Sequence, residues 1–264
     1  MAALPFADEA LARRLEGVAN RFMLGWVRAL AVRVERFGAA SAVACAERPE
    51  LDFVNRVYGL WPEDERYVGE IVAFYRAARL RPWFELAPGG GFERLAARLT
   101  RAGGAQIGFH AVLYGSAEGR GEGSGGVRVE RVGAADGLRF AETLLAGHEV
   151  PTDARAQDAP RLARNDAPGW QRYLAYLGGE PAAAAVLALD DGIAYLANAA
   201  TVPAHRGCGC HSALIGRRLA DAAEAGCELA VSGARFASQS QRNLERARLR
   251  IAYTKAVWRL QNHG

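Results

Sequence analysis

The sequence predicts a mixed α/β protein built as two tandem domains. Three observations carry that expectation. Short apolar strands alternate with helical stretches along both halves. A glycine-rich segment, GSAEGRGEGSGG from Gly115 to Gly126, interrupts the middle and reads as a flexible linker or a long hairpin loop. In the second half an apolar strand, Ile193 to Thr201, turns at Pro203, crosses a short glycine-containing loop and enters a helix near Ser212. The expected boundaries are 1–120 for an N-terminal domain and 127–264 for a C-terminal one, a division that suits a chain of 264 residues.

Residues 6 to 37 predict one or two amphipathic helices, with Leu11, Leu15, Val18, Phe22, Trp26, Leu30 and Val34 recurring at helical spacing. Phe37-Gly38 would close that helix, with the glycine as C-cap. Ala39 to Cys45 and Phe53 to Tyr58 predict short strands. Pro62 opens a helix to about Arg79, because a missing N–H costs nothing in the first turn. Trp83 to Leu86 is strand-like, Phe92 to Arg101 helical, and Ile107 to Tyr114 alternates as a strand does. Gly89-Gly90-Gly91 lacks a nearby strand-anchored basic residue and reads as a turn.

In the second half Val127 to Val132 alternates, Ala134 to Leu145 predicts a helix, and His148 to Gly169 predicts a loop or broken helix. Gln171 to Leu177 and Ala182 to Leu189 predict strands. Asp190-Asp191-Gly192 is a tight hairpin turn, since Asp-Gly suits the left-handed backbone such turns demand. Ile193 to Thr201 is the returning strand. After the loop and its helix, which ends at Gly226, come a strand (Glu228 to Val231), a helix (Ser238 to Ala247) and a last strand (Ile251 to Trp258).

Composition excludes several function classes. Half the residues are hydrophobic and 23% are charged. No run approaches a membrane span, and the start, MAALPFADEALARRLEG, lacks the basic region of a signal peptide, so a cytoplasmic protein is expected. Cys45, Cys208, Cys210 and Cys227 fit no zinc pattern, so no metal is expected and reduced thiols are. A net charge of +4, with arginines and acids interleaved, is too mild for nucleic acid but suits a small polyanion.

The stretch from Arg206 to Ser212 carries the chemistry. A helix start presents free backbone N–H groups at the positive end of its dipole, and the small residues Gly207, Cys208, Gly209 and Cys210 allow close backbone approach. Such a junction suits phosphate. Arg206 adds charge at the rim or holds the loop. His211, at the helix start, is expected to face solvent with a depressed pKa.

The segment Thr201-Val202-Pro203-Ala204-His205-Arg206-Gly207-Cys208-Gly209-Cys210 resembles the acyl-CoA-binding motif of the GNAT superfamily of N-acetyltransferases. That motif is Arg/Gln-x-x-Gly-x-Gly/Ala after a Val-x-Pro lead-in. Arg206 and Gly209 match, and His211 departs from the last position. Ser240 to Ala247 resembles the family's penultimate helix, with Arg248-Leu249 where a Gly-Phe pair is usual. Phe53 to Tyr58, Phe74-Tyr75-Arg76 and Trp83 to Leu86 resemble, more faintly, the degenerate N-terminal copy of tandem members. The resemblance implies an acyl-CoA N-acyltransferase fold in two tandem domains and acetyl-CoA as co-substrate. It implies coenzyme contacts at Thr201, Val202, Arg206, Gly207, Cys208, Gly209, Cys210, His211, Ser212, Ser240 and Asn243.

Amine acetylation needs a neutral amine, a polarised thioester carbonyl and a proton for the leaving thiolate. The strand YLANAAT carries no carboxylate, which leaves Asn198 as a catalytic candidate on it, with Glu142 or Glu149 as bases from elsewhere. Leu244 stands where the family has a proton-donating tyrosine, so Tyr253 on the last strand is the substitute candidate. The implied function is acetyl transfer to an amine of a small molecule or peptide by direct attack. Neither nucleic acid nor membrane is an expected partner, and a homodimer is compatible with the sequence. The rival reading is a non-catalytic acyl-CoA-binding or interaction module.

Overall fold

Both halves of the chain repeat one order of elements: antiparallel strands, a helix, a further strand, a second helix and a long final strand. The computed structural model describes residues 4–30, 32–118 and 126–261. Residues 119–125 of the glycine-rich segment lie outside the described residues.

The first half begins with helix α1 (Glu9–Val27), capped by the Asp8 carboxylate, which accepts from the Leu11 N–H at 2.8 Å. Strands β1 (Arg33–Phe37), β2 (Ala40–Ala44) and β3 (Arg56–Tyr58) follow. A 3-10 turn over Pro62–Tyr67 leads into α2 (Val68–Ala77), then β4 (Trp83–Leu86), α3 (Phe92–Arg101) and β5 (Gly104–Ser116). The helical expectation for 6–37 is thus corrected at its end. Residues 33–37 pair antiparallel with β2, and Gly38, at φ +65°, turns that hairpin instead of capping a helix. The Asp64 carboxylate, accepting from the Ala39 N–H at 3.3 Å, sits where a Cβ on Gly38 would stand.

The second half runs β6 (Val127–Val132), α4 (Gly137–Gly147), α5 (Thr152–Ala163), β7 (Trp170–Leu177), β8 (Glu180–Asp190) and β9 (Ile193–Thr201). It ends with α6 (Cys210–Glu224), β10 (Leu229–Arg235), α7 (Gln239–Arg246) and β11 (Arg250–Leu260). The stretch expected as loop or broken helix contains α5, an ordered helix carrying Pro160 inside it. Asp191 and Gly192 both hold positive φ (52° and 67°), the two-residue turn the sequence requires between β8 and β9.

Two compact units result. One holds Leu113–Ile251 and the other Pro5–Val112 with the chain from Ala252, so β5 and β11 each begin in one unit and finish in the other. In the unit with α1, the strand order is β1-β2-β3-β4-β11-β5. Its core lies on one sheet face, where Phe84, Leu86, Ala256 and Trp258 pack with Ile71, Tyr75, Leu95 and Leu99 of α2 and α3. In the other unit the order is β5-β10-β9-β8-β7-β6, with β9 and β10 parallel and β6 to β9 antiparallel. There α4 packs on β8 and β9, and α6 packs on β6 to β9. The alanine run Ala182–Ala185 of β8 is wholly buried, and its small side chains let helices approach the sheet.

Candidate functional site

The site grows out of an irregularity in β9. Ala197 pairs with Val186 and Ala200 with Ala184, so two residues of β9 oppose one of β8. Asn198 takes the strain of that bulge at φ +40°, a region asparagine tolerates better than most residues. A buried guanidinium pins the distortion. Arg218 of α6, only 1% exposed, donates to the carbonyls of Val186 (2.9 Å), Ala197 (3.1 Å) and Leu214 (3.0 Å). Burial pushes its pKa down to about 10, still high enough to keep it charged at neutral pH. Beside it the Nδ2 of Asn198 is buried without a hydrogen-bond partner.

Just before the bulge, β9 leaves its other neighbour. Its parallel pairing with β10 ends at Tyr195–Val231, although β9 continues to Thr201 and β10 to Arg235. Ser232 Oγ donates to the Leu196 carbonyl at 2.8 Å where the two strands part. A cleft of about 690 Å³ opens here, lined by Ala199, Ala200 and Thr201 on one side and Arg235 on the other. Gly147 closes α4 against β9 so tightly that a Cβ would stand 2.7 Å from Ala200 Cβ.

The loop from Pro203 delivers the chain to α6 within the same cleft. Gly209, at φ +82°, is the N-cap and supplies no side chain, and no acid occupies the first turn, so the opening N–H groups of α6 carry no side-chain cap. Arg206 holds the loop. It donates to the Glu149 carboxylate (2.8 Å), the Gly147 carbonyl (3.2 Å) and the Thr201 carbonyl (3.4 Å). Among the described residues the cleft is lined by Arg206, Arg235 and Arg246 and by no carboxylate, so its potential favours an anion.

Most residues singled out from the sequence meet in this cleft. Thr201, Arg206, Gly207, Gly209, Cys210, His211, Ser212, Ser240 and Asn243 line it, whereas Val202, Cys208 and the catalytic candidate Asn198 do not. The Val202 N–H is spent on the Ala182 carbonyl at 2.9 Å, and Cys208 is exposed. Burial raises the Cys210 thiol pKa, with Cys208 adding to the rise. His211 is not the solvent-facing residue expected: it is half-buried, and its Nδ1 lies 2.9 Å from Asn243 Nδ2. Burial first, then the charge of Arg218, pushes its pKa down to about 4. Ser238, not Ser240, caps α7, its Oγ accepting from the Gln241 N–H at 3.2 Å. Glu149 is engaged by Arg206 and Glu142 is exposed on α4. His148, Arg235, Gln239 and Arg246 also line the cleft. The last three lie on β10 and α7, and no periodicity in the sequence marks them as facing β9.

Tyr253 belongs to the other unit, where its hydroxyl donates to Glu16 Oε1 at 2.9 Å. That unit also has a parallel strand pair, β3 and β4, around a helix, but its strand-to-helix junction reads Gly59-Leu60-Trp61-Pro62. The Trp61 ring is covered by the Arg13 guanidinium at 4.2 Å. Its polar residues form ion pairs instead: Glu85 lies 2.9 Å from Arg56, 2.7 Å from Lys255 and 3.0 Å from His110. Burial alone would raise the Glu85 pKa, but the charges of Arg56 and Lys255, with the His110 ring beside them, outweigh it and hold the carboxyl well below its ordinary range.

No protein-family model matches the sequence, and no curated protein matches it. Solved structures do. A GCN5-related N-acetyltransferase from Kribbella flavida is similar over 96% of each chain, with a TM-score of 0.65 at 19% identity. The chain has the GNAT acetyltransferase fold. A tandem GNAT protein from the clavulanic acid biosynthesis pathway aligns over 97% of this chain and 96% of its own, with a TM-score of 0.59 at 12% identity. A GCN5-related N-acetyltransferase from Sphaerobacter thermophilus aligns over 84% and 76%, with a TM-score of 0.55 at 14% identity. Among the described residues no group of side chains could hold a metal ion, and no helix is long and apolar enough to cross a membrane.

Proposed function

We propose that the protein is an acetyl-CoA-dependent N-acetyltransferase whose C-terminal domain, 127–264, binds the coenzyme and whose N-terminal domain, 1–120, is a degenerate copy. The observation that carries this reading is the splayed end of β9 running into an uncapped helix start. Three arginines line the cleft that opens there. A pyrophosphate needs several donors at close range, and the N–H groups of residues 210–212 with the Arg206 rim supply them. The cleft volume falls within the range of small-molecule sites. Covering of the Leu60-Trp61-Pro62 junction by Arg13 supports assigning the degenerate role to the N-terminal copy.

In the reaction the nitrogen lone pair of a neutral amine attacks the thioester carbonyl carbon. The carbon–sulfur bond breaks, and the proton lost by nitrogen is made good on the thiolate. Asn198 Nδ2 is a buried donor with no partner, one residue before the cleft-lining Ala199, and we assign it to polarise a carbonyl once its side chain turns toward the cleft. Tyr253, the sequence's candidate for protonating the thiolate, already gives its hydroxyl proton to Glu16, which weakens that assignment.

One observation favours the second reading, an acyl-CoA-binding module without turnover: among the described residues no carboxylate lines the cleft. Calorimetry with acetyl-CoA and CoA, followed by thiol release over a panel of amines and peptides, separates the two. Thiol release that depends on one class of amine supports the enzyme. Binding without release on any amine supports the module, and no binding rejects both.

A further inference from the structure

The polar atoms of α7 form a chain whose direction is fixed at both ends by arginine, which can only donate. Arg242 gives Nε and Nη2 to Gln239 Oε1 at 3.3 and 3.1 Å, so Gln239 must present its Nε2 onward. That Nε2 reaches Asn243 Oδ1 at 2.8 Å, and Arg246 Nη1 reaches the same oxygen at 2.9 Å. Two donors on one oxygen settle which way the Asn243 amide points. Its Nδ2 therefore donates to His211 Nδ1 across 2.9 Å. A ring nitrogen that accepts carries no proton, so the imidazole is neutral and its proton sits on Nε2.

Nε2 has no hydrogen-bond partner among the described residues, and His211 lines the cleft beside Ser212, Arg206 and Arg246. The GNAT-like motif of the sequence would place glycine or alanine here. A ring held in this way either obstructs the ligand or meets it with an N–H. The surroundings favour the second: the lining is cationic, and an anion is what the uncapped start of α6 selects.

We propose that His211 is a phosphate-binding residue, donating Nε2–H to a pyrophosphate oxygen of the ligand, and that Asn243 is the positioning residue that fixes this tautomer. The inference rests on reading the cleft as a coenzyme pyrophosphate site, and it names a recognition group specific to this chain. A neutral donor adds direction that the surrounding arginines, which are longer and exposed, do not supply. The charged groups nearest the ring are Arg218 on its own helix and, through Asn243, Arg246 on α7.

The test uses the full chain labelled with nitrogen-15 at its five histidines, with His211 assigned by comparison with H211A. At neutral pH the His211 signals should show the Nε2–H tautomer. Inorganic pyrophosphate and coenzyme A are then titrated separately, and each should move the His211 Nε2 signal. H211A should weaken pyrophosphate binding about tenfold, the effect of losing one hydrogen bond to a charged partner. N243D replaces the donor with an acceptor of the same shape and should invert the tautomer. Its loss of affinity should exceed the loss the same substitution causes in an H211A background, where only the added charge acts. An Nδ1–H tautomer in the wild type overturns the proposal. So does a His211 signal that stays still while backbone amides 209–212 saturate with pyrophosphate, and so does no binding of either probe. A response to pyrophosphate without any to coenzyme A leaves the His211 assignment standing and rejects the coenzyme reading.

Discussion

Arg218 offers the sharpest test of how the cleft is built. Replacing it with methionine keeps much of the volume but removes the donors to the Val186 and Ala197 carbonyls, which flank the β9 bulge. Orphaning a buried acceptor costs about 1–3 kcal/mol, hence about 4 kcal/mol for the two together. The guanidinium itself is held at an unfavourable depth. A pKa moved from 12.5 to about 10 corresponds to roughly 3 kcal/mol of burial cost that methionine relieves. The expected net loss for R218M is about 1 kcal/mol. R218A also leaves a cavity and should lose about 3 kcal/mol more, in line with other large-to-small core substitutions. Urea unfolding followed by circular dichroism measures both, and amide exchange at Asn198 and Ala199 reports the bulge directly. If R218M matches the wild type in stability and in exchange at these two residues, Arg218 does not pin the bulge.

Three further outcomes follow from the same structure. The unfolded chain binds a proton at His211 near pH 6.5 while the folded chain does so only near 4, so stability should be full above 6.5 and fall as pH drops through that window. The decline attributable to His211 has an upper limit of about 3 kcal/mol, and H211Q should flatten that part of a stability–pH curve. In the unit with α1, E85A leaves the half-buried Arg56 and Lys255 without their shared carboxylate, Lys255 keeping Glu16 at 3.3 Å. It should cost about 3–5 kcal/mol, visible as a lower thermal midpoint. A thiol reagent should label Cys208 first, because it is exposed while Cys45 and Cys210 are buried with pKa raised by that burial; mass mapping of the labelled peptide checks this.

What could be read from the sequence was local. Strands β4, β6 and β9 and helix α3 have the bounds that their alternation or spacing marks. Asp191-Gly192 dictates its own turn. The loop at 206–212 announces an anion site because backbone donors and small residues lie consecutively along the chain. What could not be read depends on distant partners. Val34 continues the apolar spacing of α1, yet β1 is settled by its pairing with β2. Pro160 argues against a helix, but α5 forms in contact with α4. His211 looks like a solvent residue until α7, some thirty positions later, brings Asn243 against it. Arg218 reads as a surface helix charge, and only the β8–β9 bulge explains its burial.

The central claim is that the start of α6 holds the pyrophosphate of coenzyme A. Backbone amide shifts recorded during a coenzyme A titration test it most directly. The predicted result is large, saturable shifts at Gly207, Gly209, Cys210, His211 and Ser212, reproduced in part by inorganic pyrophosphate. Saturable binding that leaves those five amides unmoved contradicts it.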